Sequence, residues 1–375
     1  MKTLLLAPMG SVHRRFNKAN IEALKSLGYE VHLAANFEVG DGTEKQNGEY
    51  VEQCKKEGII IHSIAYERHS LKGCINKRAE TRKLLSDEKF DIVHAHTETG
   101  GFILRIAGKP YKKSKYVYTP HGMSFYKGSS AKSQLVYRPL EYWICSMMDA
   151  NIAINQEEYF VLQNWNTTSA KYVHGIGLDL NRFREVDDGC RKCIRNEFGI
   201  PQDAKLVMSI GELDDNKNHQ IIIKAIEKLK RDDVYYVICG VGPNRDKLEQ
   251  LAQQLGLGKK VVLAGYRRDI PEILHASDIF AFPSFHEGLP VSLMEAMAAG
   301  LPVVCSKIRG NVDLIEEGKG GYMCDPSSAE DFSNALNNLI NNNFIYTEMA
   351  KTNQNKSEYY SLMNVLNELV GLYRG

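Results

Sequence analysis

Short apolar runs alternate along the chain with longer stretches whose apolar positions recur at helical spacing, the pattern of buried parallel strands joined by helices. Thr3–Ala7, Tyr29–Ala34, Ile59–Ile64, Phe90–His96, Tyr116–Thr119 and Asp149–Asn155 read as strands of a first half, with Ile21, Leu24 and Leu27 on the apolar face of its first helix. Asp149–Asn155 reads as the last full strand of that half, and Tyr137–Met148 as a core helix by its aromatic and methionine positions. The alternation restarts at Leu206–Ile210 and continues through Val234–Cys239, Asp278–Phe282 and Val303–Cys305 to a short strand after Gly320-Gly321 and helices at 329–341 and 357–374. One core seldom supports 375 residues, so the restart implies two α/β domains, each a doubly wound parallel sheet. The expected division is 1–183 and 184–355, with a terminal helix in 356–375 and a polar linker over Glu185–Gly189.

The densest chemistry lies in residues 278–304. Pro283 and Ser284 end the strand, a helix begins near Pro290, where proline's missing N–H costs nothing, and Gly300-Leu301-Pro302 stops it. The N–H groups of Gly288, Leu289 and Val291 would then lie at the positive end of a helix without partners inside it, a setting that favours a diphosphate. Glu287 and Glu295 flank that anion site. A carboxylate repels a phosphate, and its economical use there is to accept hydrogen bonds from neutral hydroxyls. Glu287 is therefore assigned to the hydroxyls of a transferred sugar and Glu295 to a ribose; two unrelated surface glutamates are the plainer reading.

Other loops after strands add candidates. Lys217 is a mobile point charge suited to a diphosphate, and Asp214-Asp215 before it reads as a solvated turn rather than a metal site. His96 closes a strand at its carboxyl end, where open α/β sheets place ligands, and His121 lies between a strand and Gly122 at the rim of a cleft. Pro8–Phe16 reads as a loop in which Gly10, Ser11 and His13 are cleft residues or ordinary turn residues. Gly10 stands alone, without the G-x-G-x-x-G fingerprint, which removes the main support for an NAD enzyme. Gly40–Gly48 reads as a polar loop.

Composition narrows the partners. With 47 basic and 46 acidic residues the net charge is +1, which argues against a global nucleic-acid field. Glu67–Leu85 (Arg68, His69, Lys72, Lys77, Arg78, Arg82, Lys83) and Lys109–Lys115 are basic stretches, read as solvated surface or as contacts for anionic lipid. The eight cysteines are irregularly spaced, as in a reduced cytosolic protein, and Cys190-Arg-Lys-Cys193 lacks the partners of a zinc site. Met1–Ala7 is too short for a leader and no apolar run is long enough for a membrane span.

Glu287-Gly-Leu-Pro-Val-Ser-Leu-Met-Glu295, with Ala-Phe-Pro-Ser before it and Ala-Ala-Gly-Leu-Pro-Val-Val after it, resembles the Glu-x7-Glu motif of the retaining GT-B glycosyltransferases of family 4 / group 1, closely over about residues 200–330. The resemblance implies two Rossmann-like domains facing a cleft, with acceptor on the first and nucleotide-diphosphate sugar on the second, and a terminal helix crossing back to the first. It implies roles for His121 against the donor sugar, for Lys217 on the donor phosphates, for the Gly-x-Gly-Pro turn at Gly242, and for Tyr266 and Arg267 near the base. It implies no metal and no cofactor, UDP as the nucleotide, and a polyprenyl-diphosphate-linked saccharide acceptor at the inner face of a bacterial membrane. Glu212 stands where that family has an arginine, so Arg14, Arg15 or Lys307 is expected to make up the charge, or the subfamily tolerates the change. Rival readings are a transferase with a soluble acceptor, a nucleotide-sugar epimerase, and a non-catalytic nucleotide-sugar-binding scaffold.

Overall fold

A computed structural model describes residues 1–38, 44–67, 70–165, 169–187 and 189–374, and the counts below refer to these. The chain forms two compact units, Met1–Gly177 with Leu362–Gly375, and Leu178–Ser361. The first is built on seven strands: β1 (Lys2–Met9), β2 (Glu30–Asn36), β3 (Ile60–Ser63), β4 (Ile92–His96), β5 (Lys115–Thr119), β6 (Ala150–Ala153) and β7 (Ser169–Tyr172). All pair in parallel in the order β3-β2-β1-β4-β5-β6-β7.

A parallel sheet covered on both faces must bury every side chain of its central strands, and β1 does so from Thr3 to Met9. Successive residues serve opposite layers. Leu4 and Leu6 pack with Val93, Ile103 and Tyr118, whereas Leu5 packs with Leu33, Val117 and, from the chain's last helix (Leu362–Arg374), Val365 and Leu369.

The second unit repeats the plan with β8 (Lys205–Ile210), β9 (Val234–Cys239), β10 (Val261–Gly265), β11 (Ile279–Phe282), β12 (Val303–Ser306) and β13 (Gly321–Cys324), parallel in the order β10-β9-β8-β11-β12-β13. In both sheets the order reverses beside the first strand, between β1 and β4 and between β8 and β11. Crevices outside the carboxyl ends of such strand pairs are where doubly wound sheets bind ligands. The loops after β1, β4, β8 and β11 thus border the candidate ligand crevices.

Several expectations change. Residues 10–16 form a helix, Gly10–Phe16, rather than a loop, and Gly10 fits because a Cβ there would come within 2.4 Å of the Phe37 ring. Of the expected loop 40–48, residues 40–43 lie outside the described residues and 44–48 begin a helix, Glu44–Lys56. A seventh strand, β7, follows the one read as last. The asparagine-rich residues 337–343 end one helix and start another, Asn343–Ser357, which Asn342 caps by accepting from Ile345 N. The helix read as Tyr137–Met148 spans Ala131–Cys145, and much of its apolar surface points outward: Leu135, Val136, Tyr142 and Trp143 are exposed. Only the stripe with Ile144 and Cys145 is buried, together with Glu141, which accepts a hydrogen bond from Tyr118.

Candidate active site

In the second unit, the loop after β8 and the loop after β11 are tied together at the switch point. Phe285 N donates to Asn216 O (2.8 Å), Asn216 Nδ2 to His286 O (3.0 Å) and Asn218 Nδ2 to Pro283 O (3.2 Å). This framework brings Lys217 and Glu287, seventy residues apart, into contact: Nζ donates to Oε1 at 2.6 Å. The pair is mostly shielded from solvent, and Lys217 also lies 5.4 Å from the centre of the Phe282 ring. Asp214 accepts from Lys217 N and Asp215 pairs with Asn244 and Lys247, so both aspartates serve the turn.

The helix after β11 runs Val291–Ala298, with Pro290 extended at its cap instead of at its first position. Met294 N to Pro290 O is the first helical bond, leaving the N–H groups of 291–293 ahead of it, pointed as an anion site requires. Leu289 is buried beneath the turn. On the same helix Glu295 is half-buried, and burial pushes its pKa up to about 7 against the opposing charge of Arg182.

Neighbouring loops close around this centre. A Cβ on Gly242 would strike the Leu213 backbone at 2.6 Å, so the turn after β9 packs directly on the loop that carries the exposed Glu212. Tyr266 is exposed, whereas the Arg267 guanidinium is held by Asp269 (2.8 and 2.5 Å) and Glu197. Spacing alone did not single out His286 and Arg309. Arg309 Nε donates to Glu287 O (3.1 Å) and its NH2 group to His286 Nε2 (2.9 Å). The only advance signal was an arginine in the loop after a strand, 22 residues from the glutamate it holds.

In the first unit, the carboxyl ends of β1, β4 and β5 gather histidines. His96 Nδ1 and His121 Nε2 lie 3.0 Å apart, so one ring donates and the other accepts. His121, at a left-handed φ of 61°, stacks on Phe16, and His96 Nε2 is buried with no partner among the described residues. Both line a small cavity with Phe16, Asn20, Thr119 and Gly175. Ser11 and His13 are buried on the helix after β1, and His13 Nε2 donates to Ala34 O (3.2 Å) while Asn17 donates to its Nδ1 (2.9 Å). His94, below His96, bonds Tyr373 of the last helix (2.8 Å) and Thr119 (2.9 Å). Burial lowers His13 and His121 to about 4 and His94 to about 3, so the cluster is neutral at physiological pH.

Among the described residues, no group of three or more His, Cys, Asp or Glu side chains is placed to hold a metal ion. Arg68 and His69 of the first basic stretch lie outside the described residues, as does Asp188 of the linker. Of that stretch, Lys77 pairs with Glu80, Lys83 with Asp87, and Arg82 donates to Ala107 O; Lys109 of the second pairs with Asp149.

Two doubly wound parallel sheets in one chain, each with its own switch-point site, make this a protein of the GT-B architecture. It matches Anabaena HepE, solved with UDP and glucose, with a TM-score of 0.81 at 20% identity over 100% of this chain and 99% of that one. WaaG, a glycosyltransferase involved in lipopolysaccharide biosynthesis, matches with a TM-score of 0.74 at 17% identity, covering both chains fully. The signature of Glycosyltransferase Family 4 matches residues 15–174, and that of Glycosyl transferases group 1 matches residues 191–358. EpsD of Bacillus subtilis is 27% identical over 378 residues, 99% of this chain and 96% of the relative. The UDP-Gal:alpha-D-GlcNAc-diphosphoundecaprenol alpha-1,3-galactosyltransferase of Escherichia coli is 31% identical over 282 residues, 73% of this chain and 72% of that enzyme. The chain belongs to the group 1 / family 4 glycosyltransferases.

Proposed function

We propose that this glycosyltransferase moves a hexosyl group from a UDP-sugar to a hydroxyl of a polyprenyl-diphosphate-linked saccharide, with retention of configuration and without a metal at the diphosphate. The observation that carries the reading is the Lys217–Glu287 contact beside the start of the helix Val291–Ala298. It supplies one cation and a set of N–H donors for a diphosphate, and one carboxylate for sugar hydroxyls. An arriving diphosphate takes Lys217 from Glu287 and frees the carboxylate to accept from the sugar. UDP in the HepE structure and the lipid-diphosphate sugar in the name of the Escherichia coli relative support the two substrate classes.

In the transfer, the bond between the sugar's C1 and the phosphate oxygen breaks while a bond from C1 to the acceptor oxygen forms on the same face. The acceptor's proton passes to the departing phosphate oxygen, so no side-chain base is consumed. Lys217 and the amides at the helix start meet the charge that builds on the leaving diphosphate, a contribution of roughly 3 kcal/mol for a well-placed donor. Glu287 orients the sugar and Glu295 holds the ribose; on the first unit His96, whose buried Nε2 has no partner among the described residues, serves the acceptor side, whereas His13 uses both ring nitrogens within the fold. The exposed face of Ala131–Cys145, with Lys132 and Arg138 on it, supports peripheral contact with an anionic membrane, where such acceptors reside. Among the described residues no helix is long and apolar enough to cross a membrane.

Calorimetric titration with UDP, GDP and ADP, with and without EDTA and with Glu295→Ala in parallel, tests the donor site. UDP is expected to bind alone and independently of EDTA, and the substitution to weaken it about tenfold or more, the scale of one lost charged hydrogen bond. No nucleotide binding, or no effect of the substitution, would sink the reading. Binding without turnover on any lipid-linked acceptor would mark a scaffold instead.

A further inference from the structure

We propose that Arg309 is a positioning residue for glycosyl transfer: from the loop after β12 it holds the Glu287–Gly288 turn in place and keeps the His286 imidazole in its neutral form. The inference rests on the donor-site reading above and adds the device that sets its sugar-facing carboxylate. Arg309 is 7% exposed, and a guanidinium removed from water is costly unless it is well bonded. Its Nε donates to the carbonyl of Glu287 (3.1 Å) and its NH2 group to His286 Nε2 (2.9 Å), so one rigid fork spans two consecutive residues of the turn. A bond from a guanidinium, which only donates, obliges Nε2 to carry no proton.

The next residue completes the support. Gly310 has φ +79°, and a Cβ there would lie 2.4 Å from Gly288 O and 3.2 Å from Pro290 Cδ. The backbone of the β12 loop therefore lies directly against the turn and the cap of the following helix. Glu287 is thus held on two sides, by Lys217 at its carboxylate and by Arg309 at its carbonyl. Lys217 leaves when a diphosphate arrives in the proposed cycle, whereas Arg309 grips backbone and has no reason to move. Arg309 keeps the turn in register while the carboxylate changes partners. Burial first, and then the charges of Arg309 and Lys217, lower the His286 pKa to about 4.

The test uses Arg309→Ala, Arg309→Gln and Arg309→Lys in the full chain. UDP affinity is measured by calorimetry, turnover with whichever of UDP-glucose, UDP-galactose and UDP-N-acetylglucosamine the wild type uses fastest, and His286 titration by NMR of histidine-labelled protein, assigned with His286→Asn. We expect Arg309→Ala to lower kcat about a hundredfold, the cost of a misplaced group, while the Kd for UDP changes less than threefold. Lysine, a single point donor, recovers less than a tenth of the loss. His286, neutral down to about pH 4 in the wild type, should titrate nearer its ordinary value in the alanine and glutamine variants. Gly310→Ala, which pushes the same turn without removing the charge, should lower kcat but leave the His286 titration where it was. Turnover within threefold of wild type in Arg309→Gln, equal losses of UDP affinity and turnover, or an unchanged His286 titration would each overturn the proposal. Failure of the wild type to bind UDP would overturn the donor-site reading and this inference together.

Discussion

Glu295 is half-buried on the helix Val291–Ala298, with its pKa lifted to about 7 by burial while Arg182 pulls the other way. A folded-state pKa above the ordinary 4.5 means that the native protein binds a proton the unfolded chain has lost. Its stabilising effect is complete below pH 4.5 and fades as pH rises through 7. The deficit at pH 8 is at most about 3 kcal/mol, from 1.36 kcal/mol per pKa unit. Glu295→Gln should therefore raise the melting temperature at pH 8 and leave it unchanged at pH 4, a difference that scanning calorimetry at the two pH values reads directly. Ribose hydroxyls donating to this carboxylate would favour its charged form, so UDP binding near pH 7 should release a fraction of a proton. Titration in buffers of different ionisation enthalpy measures that release, and uptake of protons instead would remove Glu295 from the ribose. A residue that costs stability when empty and repays it when a donor binds suits a binding site better than a core.

At the scale of elements, the helix Ala131–Cys145 shows where pattern and environment part. Leu135, Val136, Tyr142 and Trp143 share one face with Lys132 and Arg138, and Arg105 lies 4.7 Å over the Trp143 ring. Aromatic rings flanked by basic side chains suit the headgroup layer of an anionic bilayer. Leu135→Asp with Trp143→Asp should abolish co-flotation with phosphatidylglycerol vesicles at physiological salt while leaving UDP affinity unchanged; retained flotation would remove this face from any membrane role. Periodicity could not separate outward from inward here, because it fixes which residues share a stripe and not which way the stripe faces. The β-α alternation was legible because parallel strands are buried on both faces and read as unbroken apolar runs, as in Leu4–Leu6 and Phe280–Phe282. Short elements were not. β7 is exposed along half its length and carries no apolar run, and the helix Gly10–Phe16 opens on a glycine. Lys217 and Glu287 were legible as residues, but their contact depends on asparagines 216 and 218 tying two loops, and Arg309 reaches the turn from a third. Such meetings belong to topology, and spacing does not encode them.

At the scale of the whole molecule, the second unit is an insertion in the first. The chain enters it at Leu178 and leaves at Ser361, and these ends lie side by side, with Leu178 N bonded to Tyr360 O at 2.8 Å. The first unit is completed by the last helix, which buries Val365, Leu369 and Tyr373 against its sheet. Tyr373 there donates to Asn20 Oδ1 (2.6 Å) and meets His94, while Glu368 accepts from His174. Truncation after Ser361 uncovers that apolar face and leaves buried polar groups unpaired, a loss of several kcal/mol. Thermal unfolding of the truncated protein is expected to show an early transition for residues 1–177 and a later one for the second unit, whose own contacts are intact. A single transition at the wild-type temperature would disprove it. The same connectivity sets an order of events during synthesis. A ribosome making this chain delivers all seven strands of the first sheet early, yet holds back the helix Leu362–Arg374, which shares one face with the helix Lys18–Ser26, until the whole second unit has been made. The second unit, with both of its ends already together, can close while that face still lacks part of its cover. The nascent first unit must therefore wait, with apolar surface open to chaperones and to aggregation, for a piece separated from Gly177 by the 184 residues of the second unit.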